Sequence, residues 1–209
     1  MQLTQTQIAQ RLANALDPSL PPENPYPQGL QTAPPTPAAV LIPLFCTEQG
    51  WHVLLIRRSL HPQDRHGGQV AFPGGRCDPN DPDIENAALR EAHEEVGLRP
   101  QDIQILGRLR DMLTITNYRV TPIVGVMPWP YDVRPQPEEV SRIFSIPLVW
   151  LADPTNRYAQ VRQIQQQGNS IPVIYFSDYA GEMLWGASAR MMVLLLEALG
   201  LATPERRYA

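Results

Sequence analysis

A glycine-rich loop that runs through an acidic turn into one helix constrains the fold of this chain more than any other stretch. The loop carries Gly74 and Gly75, and residues 78–83 contain only aspartate, asparagine and proline. Such residues form turns, and the side chain of Asp81 is suited to cap the first turn of a helix. Gly97 is typical of a helix end. The stretch therefore predicts a loop, a turn and a helix in that order.

The predicted helix has an apolar face and an acidic face. Three apolar residues at helical spacing predict contact with a core: Leu89, Ala92 and Val96. Glu91, Glu94 and Glu95 stand at positions i, i+3 and i+4, which places three carboxylates on one face. Like charges this close repel each other, whereas Mg²⁺ binds carboxylates together with substrate phosphate oxygens. The acidic face is therefore either a metal site or a solvated surface.

The residues around Arg90 favour the metal site. Residues 90–98, Arg-Glu-Ala-His-Glu-Glu-Val-Gly-Leu, resemble the second half of the Nudix box, whose pattern is Arg-Glu-aliphatic-x-Glu-Glu-x-Gly-aliphatic. The glycine and the acidic residue of the first half are matched by Gly75 and Asp81, with one residue more than the general spacing. This longer spacing with aspartate is similar to that of the coenzyme A diphosphatase branch of the Nudix family.

A second run of residues, which ends in the glycine loop, also resembles that branch. Its signature is roughly Leu-Leu-Thr-x-Arg-Ser, followed by Leu-Arg-x-His-x-Gly-Gln-Val-x-Phe-Pro-Gly-Gly. The matching residues are Leu54, Leu55, Arg58, Ser59, His66, Gly68, Gln69, Val70, Phe72, Pro73, Gly74 and Gly75. Ile56 replaces the threonine, one extra residue precedes His66, and the leucine–arginine pair is not in register. These departures fall where recognition of coenzyme A is expected.

Positive charge beside the predicted carboxylate cluster comes from Arg58, Arg65 and His66. Guanidinium groups bind phosphate oxygens through paired hydrogen bonds. These three residues, with Gln69 of the signature, are therefore the predicted substrate-binding residues. For Arg65 and His66 an exposed turn is the alternative interpretation. Arg58 or Arg65 is the expected partner of the 3′-phosphate of coenzyme A.

The resemblance implies an α/β fold of the Nudix type, an α/β/α sandwich with a mixed β-sheet. Strand periodicity alone supports either an α/β or an α+β domain. The resemblance also implies Mg²⁺ or Mn²⁺ as the cofactor. The expected ligands are Glu91, Glu94, Glu95 and the backbone carbonyl of Gly75.

The same resemblance implies that water hydrolyses a diphosphate linkage. Glu91, held in position by Arg90, is the expected general base. Glu139 is the alternative base or a further metal ligand, because the family often places a carboxylate at this position. A surface glutamate before a strand is the other interpretation of Glu139.

Two classes of function are compatible with these motifs. The first is a diphosphatase of a nucleoside-diphosphate-linked compound, preferably coenzyme A, which would give a phosphopantetheine product and adenosine 3′,5′-bisphosphate. ADP-ribose or a dinucleotide such as NADH is the alternative substrate. The second class is a regulatory module that binds a nucleotide without hydrolysis. Because Arg90 and all three box glutamates are present, the enzyme is favoured.

The rest of the chain predicts two parts. Residues 1–37 should form an N-terminal helix at 3–16 and a Pro-rich arm, which is a packed strap, a lid or a dimer contact. Residues 38–209 should form the Nudix domain. Predicted strands and helices of this domain lie at 38–45, 51–58, 103–109 and 118–126, in a hairpin of 157–164 with 171–176, and in a C-terminal helix that follows 184–190.

The overall charge excludes one class of partner. A net charge of −4 and a pI near 5.6 argue against a protein that binds nucleic-acid backbones. No apolar run reaches the length of a membrane span, and the first residues lack the layout of a signal peptide. Cys46 and Cys77 form no disulfide framework, so the cytoplasm is the expected location. A small nucleotide is the expected ligand, and a homodimer is compatible with the sequence.

Overall fold

The computed structural model describes residues 3–26, 33–61, 66–163 and 170–203. The strands are β1 Thr36–Thr47, β2 Gly50–Arg58, β3 Val70–Ala71, β4 Gly74–Arg76, β5 Gln104–Arg108, β6 Met112–Leu113, β7 Tyr118–Val126, β8 Val140–Pro147, β9 Arg157–Gln163 and β10 Ser170–Phe176. The helices are α1 Gln5–Ala15, α2 Ile84–Val96, α3 Leu148–Ala152 and α4 Gly186–Ala198.

One mixed sheet is built around β1. This strand is parallel to β7 along its first nine residues, and β5 and β6 pair antiparallel with β7. On the other side, β1 pairs antiparallel with β2, but only between Leu44–Thr47 and Gly50–Val53. Strand β8 pairs antiparallel with β2 and completes that side. The sequence therefore correctly predicts a mixed sheet.

Strands β1 and β2 separate beyond their hairpin, and β3 and β4 fill the gap as a wedge. Val70–Ala71 of the wedge pairs with Ile56–Arg57 of β2, while Gly74–Arg76 pairs with Ala38–Val40 of β1. A Cβ atom on Gly74 would lie 2.4 Å from the carbonyl oxygen of Ala39, and its φ is +155°, so glycine is required there. The wedge fixes the glycine loop inside the sheet and delivers the chain to α2.

Helices cover both faces of the sheet. Alternate residues of β2 point to opposite sides: Val53 and Leu55 join a core cluster with α1 and α4, whereas Leu54 and Ile56 join a cluster with α2. The α2 residues in the second cluster are Ala87, Ala88, Ala92 and Val96, with Leu89 partly buried against it. Side-chain alternation along strands produces these two cores. The predicted α/β/α sandwich is confirmed.

The start of α2 differs from the prediction. Asp83, not Asp81, is the N-cap, and its side chain accepts a hydrogen bond of 2.8 Å from the backbone N–H of Asn86. The predicted cap at Asp81 is wrong because the turn continues for two more residues and the Asp81 carboxylate binds Arg90. The end is as predicted, since Gly97 adopts φ 74°.

The predicted hairpin and C-terminal helix are present. Strands β9 and β10 pair antiparallel from Arg157 with Phe176 to Gln163 with Ser170. The chain between the two predicted strands, residues 164–169, lies outside the described residues. Helix α4 buries Met191 and Leu195, and the buried Leu199 follows at its end. The short strand β6 lies between the predicted strands at 103–109 and 118–126.

The N-terminal helix packs on the sandwich. Thr4 and Gln7 form a capping box at the start of α1, and Ile8 and Leu12 are buried in the cluster that contains α4. The indole N–H of Trp51 donates to the carbonyl of Leu3 at 2.6 Å. The division of the chain at residue 37 stays a prediction. Across the residues that the structure describes, no helix is long and apolar enough to span a membrane.

Candidate active site

The innermost acidic group is Glu95, which α2 points toward the glycine loop. Its side chain is 1% exposed; Oε2 accepts the N–H of Gly74 at 2.9 Å, and Oε1 lies 3.3 Å from Nη1 of Arg58. Burial raises the pKa of Glu95 to about 8, although the Gly74 hydrogen bond and the Arg58 charge oppose this shift. The charges of Glu91 and Glu139 add to the increase. The site therefore contains a buried carboxyl group that holds a proton near neutral pH.

Glu91 lies directly against the backbone of Gly75. A Cβ atom on Gly75 would be 2.5 Å from Oε2 of Glu91, so the approach requires a residue without a side chain. The pKa of Glu91 is raised, chiefly by burial and further by the charges of Glu94 and Glu139, while Arg90 lowers it. The close approach fixes the Glu91 carboxylate over the loop.

Arg90 connects the turn, the loop and the helix. Its Nε and Nη2 donate to the two oxygens of Asp81 at 2.8 and 3.0 Å, and Nη2 also donates to the carbonyl of Arg76 at 3.0 Å. Nη1 donates to Glu91 at 2.9 Å and to Glu94 at 3.1 Å. The hydrogen bonds from Arg90 hold the pKa of Asp81 below its usual value. One guanidinium thus sets the positions of three carboxylates.

Glu139 reaches the site on a loop that is attached to the end of α2. Within this loop the backbone N–H groups of Arg134 and Gln136 donate to the carbonyls of Val96 and Glu95 at 3.0 and 2.9 Å. The carbonyl of Glu139 accepts the N–H of Ser59 at 2.8 Å. The Glu139 side chain is exposed, and its charge raises the pKa values of Glu91 and Glu95. It is therefore close enough to act electrostatically on both.

Three of the four predicted substrate-binding residues lie together at the end of β2, and one of them, Arg58, contacts Glu95. The backbone of Arg58 pairs with Gln69 and Gly68 through hydrogen bonds of 3.0 Å each. Nδ1 of His66 lies 3.1 Å from Oε1 of Gln69. The Arg58 side chain, 28% exposed, faces the Glu95 carboxylate. Arg65 lies outside the described residues.

Among the described residues, the site carries more negative than positive charge. The acidic groups are Asp81, Glu91, Glu94, Glu95 and Glu139, and the facing cations are Arg58 and Arg90. Within the described ranges, no three acidic, histidine or cysteine side chains are already arranged to hold a metal ion. A hard divalent cation suits carboxylate oxygens and would offset the surplus of charge. The chemistry of the donor set is therefore that of a site for a divalent cation.

Comparison with known families identifies this arrangement. Residues 35–167 match the family model described as NUDIX domain, a range that includes the wedge, α2 and Glu139. The chain belongs to the Nudix family. It is a Nudix hydrolase, an enzyme that cleaves diphosphate linkages in nucleoside-diphosphate-linked compounds.

Two relatives named Nudix hydrolase match most of the length of this chain. A Nudix hydrolase NudL of Photorhabdus laumondii is 40% identical over 156 residues, which are 74% of this chain and 80% of that protein. A NudL of Yersinia pestis is 38% identical over 164 residues, which are 78% and 80% of the two chains. The solved structure of a C. elegans Ap4A hydrolase binary complex matches 53% of this chain and 80% of its own, with 22% identity and a TM-score of 0.47.

Sequence reasoning missed two contacts of the Nudix site. It assigned Asp81 to a helix cap, although the side chain holds Arg90, and it gave no role to the Gly74 N–H that binds Glu95. Asp81 occupies the acidic position of the box, and this was the signal for a role beyond capping. The contact of Gly74 had no signal in side-chain chemistry, because the donor is a backbone group.

Proposed function

We propose that this Nudix hydrolase is a metal-dependent diphosphatase of coenzyme A or a derivative. The observation that carries the proposal is the wedge: the run from His66 to Gly75, which resembles the coenzyme A branch, places its glycine loop under Glu91 and Glu95. The same residues that suggest the substrate therefore build the site of the chemistry. Arg58, at the other end of the resemblance, contacts Glu95.

The proposed cofactor is Mg²⁺ or Mn²⁺, held by Glu91, Glu94, Glu95 and the carbonyl of Gly75. A divalent cation in such a site neutralises diphosphate oxygens and makes water more acidic. Glu95 can act as a ligand in its present position, because the Gly74 N–H and the Arg58 side chain already fix its carboxylate. Glu94 is 54% exposed and turns toward Arg90, so its carboxylate is the one with most freedom to reorient.

The proposed base is Glu91. A general base works best with a pKa close to the working pH, and burial moves the pKa of Glu91 upward from its ordinary value. Arg90 keeps the carboxylate aimed over the loop, and Asp81 keeps Arg90 in place through two hydrogen bonds. Glu91 would accept the proton of the water that attacks phosphorus.

The assignment of the base predicts unequal effects of two substitutions. Glu91→Gln should lower kcat by about 10²–10⁴-fold, because general-base catalysis contributes that much. Glu139→Gln should lower kcat by less than about tenfold, since its carboxylate acts only through its charge on Glu91 and Glu95. Rates measured over a pH series check both changes, with the exposed neighbour Glu138→Gln as the matched control. A larger loss at Glu139 than at Glu91 would reverse the assignment.

Coenzyme A carries a 3′-phosphate that dephospho-coenzyme A, ADP-ribose and NADH lack, and this group needs a cationic partner. The Arg58 guanidinium contacts the Glu95 carboxylate in this structure. Its first role is therefore to hold that carboxylate, and binding of a phosphate would be a second role. His66 and Gln69, which bind each other beside Arg58, are the proposed contacts of the substrate next to the diphosphate. A preference for the 3′-phosphate therefore tests the substrate assignment most directly.

The test compares kcat/KM for coenzyme A, dephospho-coenzyme A, ADP-ribose and NADH with Mg²⁺ and with Mn²⁺. We expect coenzyme A to be the best substrate and excess EDTA to abolish hydrolysis of all four. Equal values for coenzyme A and its dephospho form would exclude recognition of the 3′-phosphate. A clear preference for ADP-ribose or NADH would remove the coenzyme A assignment and leave the diphosphatase. Binding of all four without hydrolysis would favour the regulatory module.

A further inference from the structure

Arg76 lies at the end of the glycine loop, where β4 ends beside the first residues of β1. It is the last residue of β4 and pairs with Ala38 of β1. The carbonyl of Arg76 accepts a hydrogen bond of 3.0 Å from Nη2 of Arg90. Arg76 also directly follows Gly75, whose carbonyl is a proposed metal ligand. Its backbone is therefore fixed at the edge of the candidate active site.

The side chain of Arg76 reaches across the start of β1 to Tyr118, the first residue of β7. Nε donates to the phenol oxygen of Tyr118 at 3.0 Å, and the guanidinium carbon lies 5.6 Å from the centre of the tyrosine ring. The ring is partly buried and packs against the core cluster on the α4 side. Because the ring is held by the core, Tyr118 gives the guanidinium a fixed orientation.

Two of the three nitrogens of this guanidinium, Nη1 and Nη2, bind no other group among the described residues. The side chain is exposed. The other arginines of the site are engaged, Arg58 with Glu95 and Arg90 with three carboxylates. The Nη1 and Nη2 groups of an arginine form a planar fork that fits two oxygens of a phosphate. Arg76 therefore offers a phosphate the fork that Arg58 and Arg90 use for carboxylates.

The position of this fork suits a second phosphate on a substrate whose diphosphate is bound at the glycine loop. Among the four substrates compared above, coenzyme A carries such a group, the 3′-phosphate. Dephospho-coenzyme A, ADP-ribose and NADH have an uncharged hydroxyl at that place. A phosphate monoester carries a charge of about −1.5 to −2 at pH 7. An exposed guanidinium with two available donors therefore favours the phosphate over the hydroxyl.

We propose that Arg76 determines specificity by binding the 3′-phosphate of coenzyme A, and that Tyr118 is its positioning residue. The inference rests on the proposed function, because it names the contact that makes coenzyme A a better substrate than its dephospho form. Nη1 and Nη2 donate to two oxygens of the 3′-phosphate, while Nε stays bound to Tyr118. Arg58 keeps its contact with Glu95, so the two tasks do not compete for one guanidinium.

The experiment compares kcat/KM for coenzyme A and for dephospho-coenzyme A in the wild type and in Arg76→Gln. The value for coenzyme A should fall by about 10–100-fold, the range expected for hydrogen bonds to a charged group. The fall should appear in KM, with kcat unchanged, because the contact is the same in the ground state and the transition state. Dephospho-coenzyme A should react as before. Arg76→Lys keeps the charge but not the fork, and should give an intermediate value.

Tyr118→Phe tests the positioning role. It removes the oxygen that accepts from Nε but keeps the ring under the guanidinium, so the preference for coenzyme A should fall by about two- to tenfold. In the Arg76→Gln background the same change should have no further effect on the preference, because the hydroxyl acts through Arg76. An equal loss on both substrates would contradict a positioning role for Tyr118.

The matched control is Arg99→Gln, an arginine with an exposure of 60% just after α2 that pairs with Asp102. This variant should behave as the wild type. Binding of adenosine 3′,5′-bisphosphate and of AMP, measured by calorimetry with Mg²⁺, provides a readout without turnover. Arg76→Gln should weaken binding of the bisphosphate alone.

The outcomes separate this inference from the proposed function. A wild type that does not distinguish coenzyme A from its dephospho form would overturn the proposed substrate, and this inference with it. A wild-type preference that Arg76→Gln leaves intact would overturn the role of Arg76 alone. An equal fall for both substrates in Arg76→Gln would also overturn that role, because the side chain would then support the site in general.

Discussion

Replacing Glu95 by glutamine is expected to lower kcat/KM by about a thousandfold and, at the same time, to stabilise the metal-free protein at alkaline pH. The loss of rate follows from the loss of a charged ligand, because metal ions supply several kcal/mol of charge stabilisation and each 1.4 kcal/mol is about tenfold in rate. Glutamine retains an oxygen that can accept the N–H of Gly74, so the local geometry survives.

The gain in stability follows from the raised pKa of Glu95. The folded state holds the proton up to about pH 8, whereas the unfolded chain releases it near the ordinary glutamate pKa of 4.5. The stabilising contribution of the protonated group is therefore complete below the unfolded pKa and is lost as the pH rises through the folded one. For a group this buried, the loss is on the order of a few kcal/mol. The glutamine of the variant stays neutral at every pH, so the variant does not lose this stability.

The measurement is the free energy of unfolding in EDTA between about pH 5 and pH 9, for wild type and Glu95→Gln. The difference between the two should grow with pH in favour of the variant, and Mg²⁺ should restore the wild type. Glu85→Gln, an exposed glutamate in the first turn of the same helix, is the control and should follow the wild type in both rate and stability. Parallel pH profiles would contradict the buried, protonated state of Glu95.

Gly75→Ala is expected to lower kcat by about 10²-fold or more, although it adds only one methyl group. The new Cβ would lie 2.5 Å from Oε2 of Glu91, so the carboxylate must move away from the loop. A displacement of about 1 Å at a catalytic group costs on the order of a hundredfold in rate. Steady-state rates at saturating metal and substrate measure this loss directly.

A double-mutant cycle shows whether the methyl group acts through Glu91. In the Glu91→Ala background the carboxylate is absent, so the added methyl of Gly75→Ala meets no acid group and should cost less than about threefold. The two substitutions should therefore be strongly non-additive, as expected for groups in direct contact. Full additivity would mean that Gly75→Ala disturbs the wedge rather than the carboxylate.

Local patterns were sufficient for much of the fold. The apolar runs of β1, β2 and β7 and the helical spacing of α2 are signals that lie within a few neighbouring residues, and each element is present. The caps were less predictable, because Asp81 and Asp83 have the same chemistry and the choice between them depends on Arg90, which is distant along the chain.

The candidate site needed contacts between distant segments. The i, i+3, i+4 pattern placed the three box glutamates on one helix, but it could not show that Glu95 is buried while Glu94 is exposed. That difference arises because the wedge lies under only one side of α2. The approach of Glu139 likewise depends on a loop whose backbone binds the last carbonyls of α2.

The insertion of the wedge between β1 and β2 also affects local unfolding of the sheet. Amide groups such as those of Leu41 and Cys77, which bind the carbonyls of Pro73 and Pro37, can exchange with solvent only when β1 and the wedge come apart. The glycine loop is therefore part of the slowly exchanging unit of the sheet rather than a mobile surface segment.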